Sequence, residues 1–503
     1  MKKILFALFV NSLLLTSCES FLELPKEHEP SSSSYFKTAE EFEQLVVGAY
    51  QPLRSVYGRN NFVCGEMRSD NTHYEYYIKQ GGQEHGDREA ICNFMDGEEN
   101  WYSNGLFNDS YNGIAKTNVI ISRMHDGIPE PTRSTAVAEA RFLRALYYYN
   151  LVRFFGEVPL HDKEVVSSEG ATKPKAPVAD IFNLIRTDLD EAIKVLPEVK
   201  AFPQSGRATK GAAQTLLASA YLYQKQYGEA LALLHQVASQ GYGLLDRYAD
   251  VFKIENKNSK ESIFEIQFKE GTEGQHSMYL YYFLPKSSDN SAIINIANSN
   301  TYESGGCNVP TMDLLHSYEK GDNRLEASIA VVEGEMDGDN FISKRLVSPA
   351  EYQPANDTPY RYMCNKYNNP HSVYRETADN WPVFRYADVL LMIAECLNET
   401  GKSPEALPYI NLVRQRAGLA PLTETNQQKL RTLILHERRI ELAFENHRWH
   451  DLVRTGNAIA TLNAHGKEMK AAYPYLSPNA YQVTEARLVF PIPFRETVWN
   501  PNL

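Results

Sequence analysis

The chain has 503 residues, 23% of them charged, and a formal net charge of −12. An acidic chain without a basic block is a poor match for nucleic acid, whose binding depends on neutralising phosphates. Beyond its first residues the chain has no apolar run of about 18 or more, so nothing further along reads as a membrane-spanning helix.

Lys2 and Lys3 precede an apolar stretch from Ile4 to Leu15 that only Asn11 and Ser12 interrupt. It is too short for a span of roughly 20 residues and reads as a removable signal. It ends in Leu15-Thr16-Ser17-Cys18, which resembles a bacterial lipobox. Residues 1–17 are therefore read as a lipoprotein signal peptide and Cys18 as the lipidation site. Acyl chains contribute about 0.8 kcal/mol per buried methylene, so several on one cysteine hold a protein on a membrane. Residues 18–37, acidic and Pro-punctuated with a serine run at 31–34, are read as the lipidated cysteine and a spacer. Residues 38–503 are read as one domain in three parts: helical repeats over 38–241, an irregular lobe over 242–380, and C-terminal helices and tail over 381–503.

Five further cysteines, Cys64, Cys92, Cys307, Cys364 and Cys396, show no CxxC spacing, which argues against zinc. Their odd number leaves at least one thiol unpaired within the chain. Cys396, in an apolar helical stretch, reads as a buried free thiol; disulfides among the others stay open. Tyrosine outnumbers tryptophan 31 to 4. Its flat apolar face and hydroxyl suit sugar or peptide recognition as well as helix packing.

The first helix is predicted from the capping box Thr38-Ala39-Glu40-Glu41, followed by Phe42, Leu45, Val46, Ala49, Tyr50 and Leu53 on one face. Further helices are predicted over 111–124, 135–155 (stopped by Gly156 and Pro159) and 178–196. In residues 216–238, Leu217, Ala218, Tyr221, Tyr227, Ala230, Leu234 and Val237 fall at the small and aromatic positions of a tetratricopeptide unit. Ile393, Ala394, Leu397, Gly401, Ala406, Ile410 and Val413 repeat the offsets. Small residues let paired helices approach and the larger ones fill the gap. The expected fold is mainly α: a tetratricopeptide-like scaffold with a large loop-rich lobe and a few short strands. Within that lobe ESIFEIQF alternates like a strand, and Gly, Asn, Ser, Pro and Tyr then dominate with little periodicity.

The segments AEARFLRALYYYNLVRFFGEVPL, RATKGAAQTLLASAYLY, FRYADVLLMIAECLNETG, INLVRQRAGL, HERRIELAFENHRWHDLVR and FPIPFRETVWNPNL, in this order, resemble the SusD/RagB family over essentially the whole chain. The resemblance implies a lipid-anchored outer-membrane protein, exposed at the cell surface. Such a protein binds oligosaccharides, or sometimes peptides, and partners a SusC-like TonB-dependent transporter. It implies no cofactor and no catalysis.

Trp101 and Asn104 resemble a Trp-x-x-Asn pair that some glycan-binding members use; an indole stacks on the C–H face of a sugar while an amide bonds its hydroxyls. In this reading they lie ahead of a helix. Arg68 and Asp70 in MRSDN, and Tyr281, Tyr282 and Tyr302 in the lobe, complete the candidate ligand set. Trp381, just before a helix, is expected to pack. Glu437, Glu441 and Glu445 recur at i, i+4 and look like a glycosidase pair. Arg438, Arg439 and Arg448 beside them point to ion pairs instead, and Arg141, Arg144, Arg385 and Asp388 are read the same way. His447 and His450 lack a third ligand and residues 93–99 do not follow a calcium-loop pattern, so no metal is expected. The leading function is non-catalytic capture of a glycan. The alternatives are a peptide-binding member of the same family, a surface glycoside hydrolase, and a pure protein-interaction scaffold.

Overall fold

A computed structural model describes residues 38–75, 82–124, 128–271, 274–355 and 357–503. The signal segment, Cys18 and the spacer lie outside the described residues. Helices of eight residues or more and strands of five or more are numbered in chain order. The helices are α1 Ala39–Ser55, α2 Gln83–Cys92, α3 Trp101–Arg123, α4 Thr132–Phe155, α5 Val178–Val195 and α6 Lys210–Tyr223. Then come α7 Tyr227–Ala238, α8 Tyr386–Glu399, α9 Ser403–Arg416, α10 Gln427–Glu441, α11 Arg448–Thr455 and α12 Ala458–Ala472.

Helix α1 starts at the expected capping box: Glu41 N–H donates to Thr38 Oγ1 (3.3 Å) and Thr38 N–H to Glu41 Oε2 (3.0 Å). It buries Phe42, Val46, Ala49 and Leu53 on one face. Helix α3 starts ten residues earlier than its apolar periodicity suggested. The segment WYSNGLFNDS is poor in helix formers, but the Asn100 side chain caps it by accepting from the N–H groups of Tyr102 and Ser103. Tyr102, Leu106 and Phe107 then anchor it in the core. Helix α4 is buried around nearly its whole circumference from Phe142 to Val152 and stops at Gly156, which takes φ +70°.

The helices stack in sequence: α3 on α4, α4 on α5, α5 on α6, α6 on α7. The chain then leaves for the lobe and returns so that α8 packs on α7, with α9 and α10 against α8. The two tetratricopeptide-like hairpins are thus neighbours in space. Ala218, Ala230, Ala394 and Ala406 are fully buried or nearly so, which allows the close approach. Among the described residues no helix is long and apolar enough to cross a membrane.

The lobe is more regular than its composition suggested. Strand β1 Ser262–Ile266 pairs antiparallel with β5 Trp381–Arg385, and all ten residues are buried, so ESIFEIQF does not alternate between core and solvent. Strands β2 Ile329–Asp337, β3 Asn340–Val347 and β4 Tyr360–Cys364 form an antiparallel sheet ordered β3-β2-β4. Its hairpin turns at Gly338, φ +60°, a conformation that costs glycine least. A small core of Leu280, Tyr281, Leu284, Ile294, Ala330, Val332, Phe341 and Met363 fills the lobe. Trp381 is fully buried and stacks on Tyr367, centroids 5.5 Å apart. All five cysteines from Cys64 to Cys396 are buried free thiols.

Candidate functional site

Helix α1 runs into a single π-helical turn, Val56–Asn60, in which Asn61 N–H donates back to Val56 O. Such turns insert a residue into the helix and re-aim its side chains, a frequent device at functional sites. Here the turn carries Arg59 and Asn60 against the start of α3. Arg59 lays its guanidinium 3.9 Å from the centroid of the Trp101 ring. Gly105 permits the approach, because a Cβ there would sit 2.9 Å from Asn60 Nδ2. Trp101 N–H donates to Asp87 Oδ2 on α2 (3.0 Å), and Asn100 Nδ2 to Asp87 O (2.9 Å), so α2 fixes the first turn. Tyr102 meets the indole edge-on at 4.9 Å. The indole stays 40% exposed, a large aromatic presented to solvent on a rigid support.

Asn104 lies one turn further along α3. Its Oδ1, like Asn60 Oδ1, is enclosed and accepts no hydrogen bond. Asn60 Nδ2 donates to Asp109 Oδ2 at 3.1 Å, leaving its oxygen free. A buried acceptor without a donor forfeits about 1–3 kcal/mol; Asn60 is fully buried beneath the surface, while Asn104, half-buried, is the amide placed near the exposed indole.

A second layer braces this surface. Arg88 of α2 donates to Tyr102 Oη (2.5 Å) and to Glu303 O in the lobe (2.7 Å), pairs with Glu84, and sits 5.1 Å from the Tyr282 ring. Burial pushes the Glu84 carboxyl up, but Arg88 and the Tyr102 hydroxyl outweigh it and hold it below its ordinary value. Arg88 thereby joins α2, α3 and the loop that carries Tyr302.

The remaining candidates divide by place. Tyr282 is buried between Arg88 and Phe62 and supports the surface from beneath. Tyr302 is half-buried on the loop that Arg88 grips, its carbonyl accepting from Lys286 Nζ at 2.8 Å. Tyr281 is fully buried and turned toward His371, its hydroxyl 2.8 Å from Nε2. Arg68 and Asp70 are interior residues. Arg68 pairs with Asp96 at 2.5 Å, donates to Arg487 O and lies over Phe94 and Phe490. Asp70 accepts from Arg448 Nε at 2.7 Å and pairs with Arg439. Both tie the N-terminal segment to the C-terminal helices, so polarity in MRSDN reflects buried pairing and not a solvent-facing loop.

The sequence family described as "SusD family" matches residues 260–503, and that described as "Starch-binding associating with outer membrane" matches residues 20–222. The chain belongs to the SusD/RagB family. SusD-like protein P25 of Formosa agariphila is 27% identical over 97% of this chain and 95% of its own. A solved laminarin binding SusD-like protein superposes with a TM-score of 0.74 at 26% identity, covering 92% of this chain and 98% of that one. Surface glycan-binding protein A of Bacteroides thetaiotaomicron, solved with laminarihexaose, shares the fold at TM-score 0.71 and 23% identity, covering 93% and 99%.

In this SusD-like chain the carboxylates Glu437 and Glu441 of α10, and Glu445 in the turn after the helix ends, are held in ion pairs. Glu441 is fully buried and accepts from Arg385 (3.0 Å), Arg324 (3.2 Å) and Arg416. Glu445 takes Arg385 at 2.6 Å and Lys366 at 2.7 Å, and Glu437 takes Arg324 at 2.6 Å. Arg438 pairs with Asp388 (2.7 Å) and Asp451 (3.0 Å), and Arg144 with Asp188 (2.7 Å). Burial raises the Asp451 carboxyl, yet Arg438 and Arg454 hold it well below the usual range. Among the described residues no group of three or more His, Cys, Asp or Glu side chains is placed to hold a metal ion.

Four contributors to the surface escaped the sequence reading: Arg59, Asn60, Glu84 and Arg88. For Arg59 and Asn60 the available signal was the run Gly58-Arg59-Asn60-Asn61, which interrupts the apolar stripe that begins in α1.

Proposed function

We propose that this protein is a non-catalytic, glycan-binding lipoprotein of the outer membrane. In this reading residues 1–17 are removed, Cys18 carries the lipid, and residues 38–503 form one domain at the cell surface. It captures oligosaccharides at Trp101 and Asn104 and delivers them to a SusC-like TonB-dependent transporter. The observation that carries the proposal is the exposed indole of Trp101, backed by Arg59, with the half-buried amide of Asn104 one turn along α3. Ring face and acceptor together match the alternating C–H faces and hydroxyls of a sugar. The laminarin-binding relative and the outer-membrane, starch-binding description of the N-terminal match support the ligand class and location. The conspicuous carboxylates are engaged by arginines, which argues against hydrolysis at that block.

Calorimetric titration of the full-length protein with laminarihexaose and maltohexaose, with reducing ends assayed in the same samples, tests the reading. Saturable binding without new reducing ends is expected, and Trp101→Ala weakens it by about 2 kcal/mol, some thirtyfold. Release of reducing ends, or binding indifferent to Trp101→Ala, overturns it.

A further inference from the structure

The extended segment at residues 72–75 is a wall with two faces. Thr72 and His73 pair antiparallel with Pro310 and Val309. Side chains alternate along such a segment. Tyr74 turns toward the Trp101 surface: its hydroxyl is 2.8 Å from His85 Nδ1, and the Arg88 guanidinium lies 5.8 Å from its ring. His73 and Glu75 turn the other way, into a separate cleft of about 960 Å³. The paired stretch 309–313 continues this wall, and strand β4 with Pro354 and residues 357–359 and the C-terminal half of α12 complete the cleft.

The cleft has the parts of a binding site. His73 and Tyr473 stand 5.2 Å apart on one side, and Tyr360 and Tyr362 on the other, Tyr360 being 36% exposed. His465 lines the cleft, is only 6% exposed, and its Nε2 has no hydrogen-bond partner. Its ring is clamped edge-on to Tyr481 at 5.5 Å, so that nitrogen is held in place. A fixed, buried ring nitrogen without a partner at the wall of an open cleft is a polar group whose desolvation the neighbouring side chains leave unoffset. Glu75, Asp313, Asp357 and Glu468 also line it, against a single guanidinium, Arg361, which is tied to Glu75 at 2.7 Å. Asp313 is engaged by Arg439 at 2.6 Å; Glu468 is exposed at the rim.

Aromatic faces with acceptor-rich edges select a ligand with flat C–H surfaces and hydroxyl donors. Arg361 and Arg439 neutralise Glu75 and Asp313, so Asp357 and Glu468 leave the cleft net negative, which repels sulfated or uronic sugars. We propose that this cleft is a second saccharide-binding site, specific for a neutral oligosaccharide and set back to back with the Trp101 surface. It extends the glycan-binding reading of the protein while standing on residues that the Trp101 surface does not use.

The full-length Trp101→Ala protein isolates the cleft, and titration with laminarihexaose, maltohexaose and an alginate hexauronate tests it. Saturable binding of a neutral hexasaccharide is expected, with the hexauronate at least tenfold weaker. Adding Tyr360→Ala or Glu468→Lys, both at exposed side chains, should weaken the neutral sugar at least tenfold at unchanged melting temperature. Absence of binding in Trp101→Ala overturns the cleft and leaves the Trp101 reading intact. So does residual binding indifferent to both added changes, or a hexauronate that binds as tightly, or a basic peptide that binds where the sugars do not. If Trp101→Ala binds like the parent while Tyr360→Ala abolishes binding, the Trp101 reading falls and the cleft stands.

Discussion

Neutralising Glu441 separates a structural carboxylate from a catalytic one. Glu441→Gln keeps the side-chain shape and removes one charge from a fully buried position facing Arg385, Arg324 and Arg416. At about 4 Å and an effective dielectric of about 20, each such pair contributes about 4 kcal/mol of attraction, offset by the cost of stripping water from both ions. Three guanidiniums would then share fewer anions, and the new amide would turn N–H donors toward N–H donors. Breaking a buried pair from one side costs about 3–5 kcal/mol, and the same loss is expected here. Equilibrium unfolding in urea, followed by far-ultraviolet circular dichroism, measures it as a lower midpoint at unchanged slope. The effect depends on pH with a definite sign. Burial alone would raise the Glu441 carboxyl, but Arg416, Arg385 and Arg324 hold it well below its ordinary 4.5. Its contribution is therefore complete above that value and is lost as pH falls toward the depressed folded value, so mutant and parent converge in strong acid. A mutant within about 1 kcal/mol of the parent at pH 7, or more stable than it, refutes the reasoning. A carboxylate kept for hydrolysis would behave in that second way, since functional sites often hold charges at a cost in stability.

Arg59→Ala removes the cation over Trp101 and is expected to weaken oligosaccharide binding by about 0.5–1 kcal/mol, two- to fivefold, at unchanged melting temperature. Calorimetry showing no loss would mean that Trp101 needs no such backing. Asp379 has the opposite sign to Glu441: burial lifts its carboxyl to about 6, despite a bond from Asn369. Ionising it in the folded state costs stability as pH rises from the unfolded value through about 6. Asp379→Asn should therefore stabilise the protein by about 1–2 kcal/mol at pH 8 and by little at pH 4, and an equal effect at both pH values would contradict the assignment.

What the sequence determined by itself is what local spacing and local chemistry control. Phe42, Val46 and Ala49 behind Thr38 and Glu41 specify α1, because a 3.6-residue period and a cap act within a few turns. The alanines of the two hairpins specify close helix pairing, and Glu437, Glu441 and Glu445 amid arginines specify ion pairs, since a buried carboxylate needs a cation. What only the tertiary structure decided depends on residues far apart in the chain. Trp101 opens α3 because Asn100 caps it and Asp87 holds it, and the Asp87 contact comes from a separate helix that local spacing does not report. Arg59 reaches Trp101 through a π-turn whose polar run marks an interruption of the apolar stripe but not the ring it will face. Arg68 and Asp70 look like loop polarity until Asp96, Arg439 and Arg448 close around them. The second cleft exists only because Glu75 meets Arg361, 286 residues away, and α12 folds back beside them. Periodicity and capping report a residue's neighbours within a turn or two; which distant surfaces meet is set by how whole elements bury their faces, and it appears only when they have packed.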